Sequence, residues 1–332
     1  MDANGGIDAF MKKSADEVKT FFESNTSGRT NWNSESGSYV FAGTIDFNGA
    51  TVVGAYGVNG GLFAKVGGGS VIKNLNLSNN YFTHGDKVGA VVGYIPKQSE
   101  DNIGKVTFDS ISIHNNALVS TSGSALDRTA ALVGYVYDYV GVKYDNLLVH
   151  DNIATGSGIA GEYALIGAMG SSWNGENTET PNGDYNNSII LGCVPFPISY
   201  VCSQGTRPSY WHNIYTDSNF SNYTICGWFT DLAQYDITKI TTSAASGLNA
   251  LSLEGLDFVN TWHFDSNGGY PSPVKTEDVQ AVSQSALNFK AVNLTYATDG
   301  TFDINFYYEP VEALANIITT ETTKVYAGVA DG

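Results

Sequence analysis

The sequence predicts an all-β chain, a right-handed parallel β-helix with an N-terminal capping helix and a short C-terminal β-hairpin segment. Three observations predict it. Short apolar runs recur as Leu62-Phe63-Ala64, Ala90-Val91-Val92-Gly93-Tyr94, Ala131-Leu132-Val133-Gly134-Tyr135 and Ala164-Leu165-Ile166-Gly167-Ala168. Alternating segments recur as Ile72-Lys73-Asn74-Leu75-Asn76-Leu77-Ser78, Phe108 to Asn116, Tyr144 to Asn152 and Tyr185 to Ile190, with a fainter copy at His212-Asn213-Ile214-Tyr215. The equivalent residues Asn74, Ser110, Asn146 and Asn187 are spaced by 36, 36 and 41 residues, the longer step holding the polar insert Ser171–Asp184. A unit this short cannot bury its own apolar side, but stacked copies share a continuous interior.

Each half-repeat has strand length rather than helix length. Equivalent strands stacked at about 4.8 Å pair in parallel, and parallel crossovers favour the right-handed sense. The expected interior is Leu62, Leu75, Leu77, Val92, Ile111, Ile113, Val133, Leu147, Val149 and Ile166, with Asn, Ser and Asp outward. Gly, Asn and Ser between segments suit corners because they tolerate left-handed backbone angles. The Asn74, Ser110, Asn146, Asn187 column is expected at such a corner, its side chains satisfying backbone groups.

Taken in order, residues 1–38 hold the capping helix and its connection. Ser14-Ala15-Asp16-Glu17 is a capping box, and Val18, Phe21 and Phe22 follow at helical spacing. This helix is expected to close an open end of the stack, where unpaired strand edges invite aggregation. Residues 39–275 form the stack, with loops at Pro96–Gly104 and Ser120–Asp127. Thr206–Asn222 breaks the plain repeat, and Leu248–Phe258 returns to apolar alternation. Residues 276–285 read as a linker. Within 286–332, Leu287–Tyr296 and Phe302–Tyr308 alternate around Asp299-Gly300, a hairpin or part of a truncated β-sandwich module.

Gly61-Leu62-Phe63-Ala64, followed by Ile72-Lys73-Asn74-Leu75 and the Val91-Val92-Gly93-Tyr94 return, resembles GLUG-motif repeats. The lead-in from Tyr39 to Val52 and the closing Thr261-Trp262-His263-Phe264 with Gly268-Gly269-Tyr270-Pro271 are similar to the segments flanking such repeats, so the resemblance spans about Ser14 to Val274. It implies an extracellular or cell-surface protein of adhesin type, part of a larger surface protein whose signal and anchor lie outside this sequence. Peptidase activity of some relatives is not implied, because no His-Glu-x-x-His run is present.

The formal net charge is −17 with 16 Lys and Arg residues, which argues against nucleic acid as a partner. The acidic surface is able to recruit divalent cations such as calcium, but no motif requires a cofactor. No apolar run reaches the roughly 20 residues of a membrane span. Cys193, Cys202 and Cys226 are either buried small hydrophobes or one bridge, with Cys193 and Cys202 nearest in sequence, plus one thiol.

Four groups merit chemical scrutiny. Trp173, Tyr210 and Trp211 are candidate platforms for sugar rings, whose C–H faces stack on aromatic faces, against local packing of a long loop. They point to a glycan or a host or cell-surface protein as partner. His114 and His150 stand one repeat apart, either a polar column or two ligands lacking a third. Asp109 and Asp145 are also one repeat apart with Lys143 nearby. They suit a carbohydrate-active β-helix enzyme, yet the repeat accounts for their spacing without catalysis. Gly67-Gly68-Gly69 lacks the following helix and Lys-Ser/Thr of a phosphate cradle. The expected function is therefore a non-catalytic adhesin or stalk module presenting binding loops, with no catalytic or metal-binding residue assigned.

Overall fold

The structure, a computed structural model, describes residues 6–25, 40–96, 104–122, 128–136, 141–156, 183–191, 210–217, 236–264, 269–274, 289–296 and 302–308. The chain passes through short strands and returns to stack on itself. The first pass is β1 (Thr44–Asp46), β2 (Thr51–Val53), β3 (Tyr56–Gly57) and β4 (Phe63–Lys65). The second is β5 (Val71–Ser78), β6 (Tyr81–His84), β7 (Val88–Gly89) and β8 (Val92–Ile95), and the third β9 (Lys105–His114), β10 (Ala117–Ser120), β11 (Thr129–Ala130) and β12 (Val133–Val136). The fourth gives β13 (Gly141–His150) and β14 (Ile153–Thr155), after which β15 (Gly183–Ile190), β16 (Tyr210–Asp217) and β17 (Ile237–Ile240) continue the largest sheet. Corresponding strands pair in parallel, giving sheets β1-β5-β9-β13-β15-β16-β17 (β2 also on β5), β3-β6-β10-β14 and β4-β8-β12, with a β7-β11 ladder. The sequence period is therefore the pairing register.

Leu75, Ile111 and Leu147 lie directly opposite one another and are at most 1% exposed. Leu62, Leu77, Val92, Ile113, Val133 and Val149 share the same interior cluster; Ile166 lies outside the described residues, as do Cys193, Cys202 and Cys226. Within Thr206–Asn222, the fainter copy at His212-Asn213-Ile214-Tyr215 lies in β16, in register with β15, so the stack continues through this segment.

Left-handed residues set the shape of each strand. Asn74, Ser110, Asn146, Asn187 and Asn213 all have φ between 46° and 55° in the middle of β5, β9, β13, β15 and β16. Strict alternation would send Phe108 and Ile111 to opposite faces. The kink at Ser110 puts both into the core, and Tyr144 with Leu147 and Trp211 with Ile214 repeat the arrangement. Asn is the non-glycine residue best suited to that backbone region, which explains the polar residue inside an apolar strand.

A second column corrects the expected outward orientation of asparagine. Asn80, Asn116 and Asn152 are fully buried. Asn80 Nδ2 donates to Asn116 Oδ1 and Asn116 Nδ2 to Asn152 Oδ1, both at 2.9 Å, while the backbone N–H of each donates to the same acceptor at 3.0 Å. Burial is tolerated because the amides meet each other and the backbone carbonyls of Leu77 and Ile113.

The N-terminal segment forms α1 (Gly6–Met11) and α2 (Ala15–Ser24), with Ser14 and Glu17 closing the capping box. It does not cap an open end. Phe10, Val18 and Phe22 pack with Tyr81, Ala117 and Ile153, outward residues of three successive passes, and Phe22 stacks on Tyr56 at 5.9 Å. The helices cover a flank because those outward positions are apolar there. Asn79 Nδ2 ties them down through Phe10 O and Lys13 O at 3.3 and 2.7 Å.

The largest sheet is covered similarly. Its outward Leu148, Ile189 and Tyr215 pack beneath Ala250, Leu253, Leu256 and Trp262. The expected alternation over Leu248–Phe258 is instead a 3-10 helix, Gly247–Ser252, followed by turns, since a cover needs one apolar side only. β18 (Phe289–Tyr296) and β19 (Phe302–Tyr308) form the expected antiparallel hairpin. Among the described residues no helix is long and apolar enough to cross a membrane.

Candidate functional site

Of the three expected platform residues, Trp211 offers no exposed ring face. Trp211 is 5% exposed and packs edge-on to Tyr185 with ring centroids 4.6 Å apart. It occupies the inward file of Phe108, Tyr144 and Tyr185, two residues before a left-handed kink. Aligning His212-Asn213 with Asn186-Asn187 would have placed it there from sequence. Tyr210 begins β16, outside the residues with described side chains, and Trp173 lies outside the described residues altogether.

Asp109 and Asp145 are opposite each other on β9 and β13, with Asp184 beside Lys143 on β15 and β13. Three left-handed amides donate to a carboxylate of the preceding pass, Asn74 to Asp46 at 2.8 Å, Asn146 to Asp109 at 3.3 Å and Asn187 to Asp145 at 3.1 Å, and Asn213 donates to Asn187 Oδ1 at 2.9 Å. Lys143 Nζ and Asp184 Oδ2 are 4.0 Å apart. Burial raises the Asp145 pKa against the lowering hydrogen bond from Asn187, with Asp109 adding repulsion. The row offers adjacent carboxylates and an ammonium group, but its hydrogen bonds lock successive passes together. Nearby, Asn48, Asn74, Ser110, Asn260, Thr261 and Pro273 line a cleft of about 170 Å³.

The two histidines stack face to face, ring centroids 4.9 Å apart and planes within 2°. Parallel rings direct their in-plane lone pairs side by side, not toward a common ion. Tyr270 lies 4.7 Å from His150, whose Nδ1 meets Asp151 at 2.8 Å. His114 Nδ1 is buried without a hydrogen-bond partner. Burial, reinforced by the charge of His150 and opposed by Asp151, lowers the His114 pKa to about 3. The unfolded chain takes up a proton below about pH 6.5 that folded His114 refuses. Stability contributed by neutral His114 is thus present above the unfolded pKa and falls between pH 6.5 and 3, by at most about 1.4 kcal/mol per pH unit. His114→Phe, which keeps a ring on His150, is expected to flatten urea-midpoint loss between about pH 6.5 and 4.5; identical slopes in both proteins would refute that origin.

One outward patch combines cations with aromatic rings. Tyr94 and Tyr135 pair across β8 and β12 and stack at 5.8 Å, with Lys65 opposite Tyr94 on β4. Lys87 Nζ stands 5.3 and 5.8 Å from the two ring centroids, and the Arg128 guanidinium 4.8 Å from Tyr135. Asp86 holds both cations at 2.9 Å, and their attraction, with His84, outweighs burial to keep its pKa low. His84 Nδ1 is 3.3 Å from Asp86, while burial lowers the imidazole pKa. Sequence reasoning passed over this patch because its residues are spread from 65 to 135 and only stacking joins them. No family model, curated protein or solved structure matches the chain.

Proposed function

We propose that the chain is a non-catalytic extracellular adhesin or stalk module, a right-handed parallel β-helix of the GLUG-repeat type. It would present binding surfaces for a glycan or a host or cell-surface protein on a rigid scaffold. The observation that carries this proposal is the maintained parallel register from β1 to β17, with interior files and amide ladders linking successive passes. Such a structure resists bending because every pass is fixed to its neighbours. The repeat resemblance supports the surface role.

The raised Asp145 pKa beside Asp109 favours a second function, a carbohydrate-active β-helix enzyme. The discriminating experiment incubates the full chain with acidic and neutral polysaccharides, following sedimentation with insoluble material, new reducing ends and unsaturated uronates. Retention without product formation is expected. Product formation lost in Asp145→Asn would replace the scaffold assignment by a hydrolase or lyase.

A further inference from the structure

We infer that the Tyr94–Tyr135 patch is a binding site for a carboxylate-bearing glycan, with Arg128 and Lys87 receiving the carboxylate and Tyr94 bordering the sugar. The inference rests on the surface-module proposal and names the ligand class for one of its faces.

Charge is the first argument. In a chain of net charge −17, this patch sets Lys65, Lys87 and Arg128 against Asp86, with burial lowering the His84 pKa. Among the described residues, an anion approaching the molecule meets a local excess of positive charge here, against the repulsion of the whole. Preorganisation is the second. Arg128 is held between the Tyr135 ring and Asp86, and Lys87 between the two tyrosines and the same carboxylate. Less side-chain freedom is lost on binding when the receiving groups are already fixed.

Accessibility is retained: the Arg128 and Lys87 side chains are 36% and 26% exposed. A guanidinium presents several N–H donors in one plane, so Asp86 on NH1 leaves other donors for a second carboxylate. The partly exposed Tyr94 ring supplies contact for sugar C–H groups, while the buried Tyr135 ring, 8% exposed, backs the two cations. Among the described residues the other two large sheets receive apolar covers, and β8 and β12 carry Tyr94 and Tyr135 beside Lys87 and Arg128. Cations beside stacked rings fit an acidic sugar better than a neutral one.

The test uses the full chain, a galacturonic acid oligomer and its fully methyl-esterified form, with affinity read by calorimetry. The esters keep the sugar rings and remove the charge. The acid is expected to bind and the ester to bind at least about tenfold more weakly, with binding of the acid falling as NaCl rises from about 50 to 300 mM. Arg128→Gln is expected to weaken the acid about tenfold, Lys87→Gln in the same direction, and Lys105→Gln, the same charge change at an exposed site outside the patch, by less than twofold. Circular dichroism at the assay temperature establishes that each variant is folded; an unfolded Arg128→Gln is replaced by Arg128→Lys, expected to weaken binding through loss of the planar fork. Equal affinity for acid and ester, equal effects of the patch and Lys105 variants, or no binding of the acid would overturn the inference. Those failures leave the scaffold proposal standing, because that proposal fails on polysaccharide turnover.

Discussion

Asn116→Ala is expected to cost about 3–5 kcal/mol, read as a lowered urea midpoint at an unchanged denaturant slope. The side chain is fully buried. Its oxygen accepts from the backbone and side-chain nitrogens of Asn80 at 3.0 and 2.9 Å. Its nitrogen lies 2.9 Å from Leu77 O, His114 O and Asn152 Oδ1. Truncation strands these groups where water is excluded, and each stranded group costs about 1–3 kcal/mol. Asn116→Asp should be worse at neutral pH, since it places a carboxylate oxygen against carbonyl oxygens. Asn115→Gly, next in sequence but left-handed at φ 54°, should change stability by no more than about 1 kcal/mol. A midpoint for Asn116→Ala like that of Asn115→Gly would show that the ladder contributes nothing beyond chain geometry.

Gly134→Ala is the second large effect, a loss of about 3 kcal/mol or more. A Cβ there would stand 2.6 Å from both the N and C atoms of Val88 and 2.8 Å from Gly93 O. These are backbone atoms of the preceding pass; Val88 is held in the β7–β11 ladder and Gly93 sits in β8 between β4 and β12, so they cannot retreat without opening that pairing. Gly85→Ala provides the comparison, because nothing lies within 4 Å of its Cβ position. Thermal melting of the two variants should separate them clearly. A Gly134→Ala protein melting with Gly85→Ala would mean that the close approach is relieved without loss of pairing.

The glycines show where sequence logic stops short. Gly93 and Gly134 stand inside the recurring apolar runs, where local sequence shows no need for glycine, but their backbones meet the neighbouring pass. Glycine is needed there for proximity, and proximity between passes is not written in local sequence. The left-handed backbone of the Asn74, Ser110, Asn146, Asn187 column was legible because its spacing repeats and asparagine tolerates such angles. It lies in mid-strand, however, and not at a corner, and its asparagine amides meet carboxylates of the preceding pass and not backbone groups. The Asn80, Asn116, Asn152 ladder was not, since buried and exposed asparagine look alike until the strand is placed.

The sequence by itself determined the strand content, the parallel register and nearly all of the interior file, because a 36-residue repeat of apolar residues has few ways to bury them together. Its Ser14 capping box and the C-terminal hairpin were likewise local features, decided by neighbouring residues. Only the tertiary structure decided that the N-terminal helices lie along a flank, that Trp211 belongs to the core, and that Lys87 and Arg128 meet the stacked tyrosines. Those outcomes depend on which outward surface each segment reaches after the chain has coiled, and that geometry joins residues whose separation follows no single period.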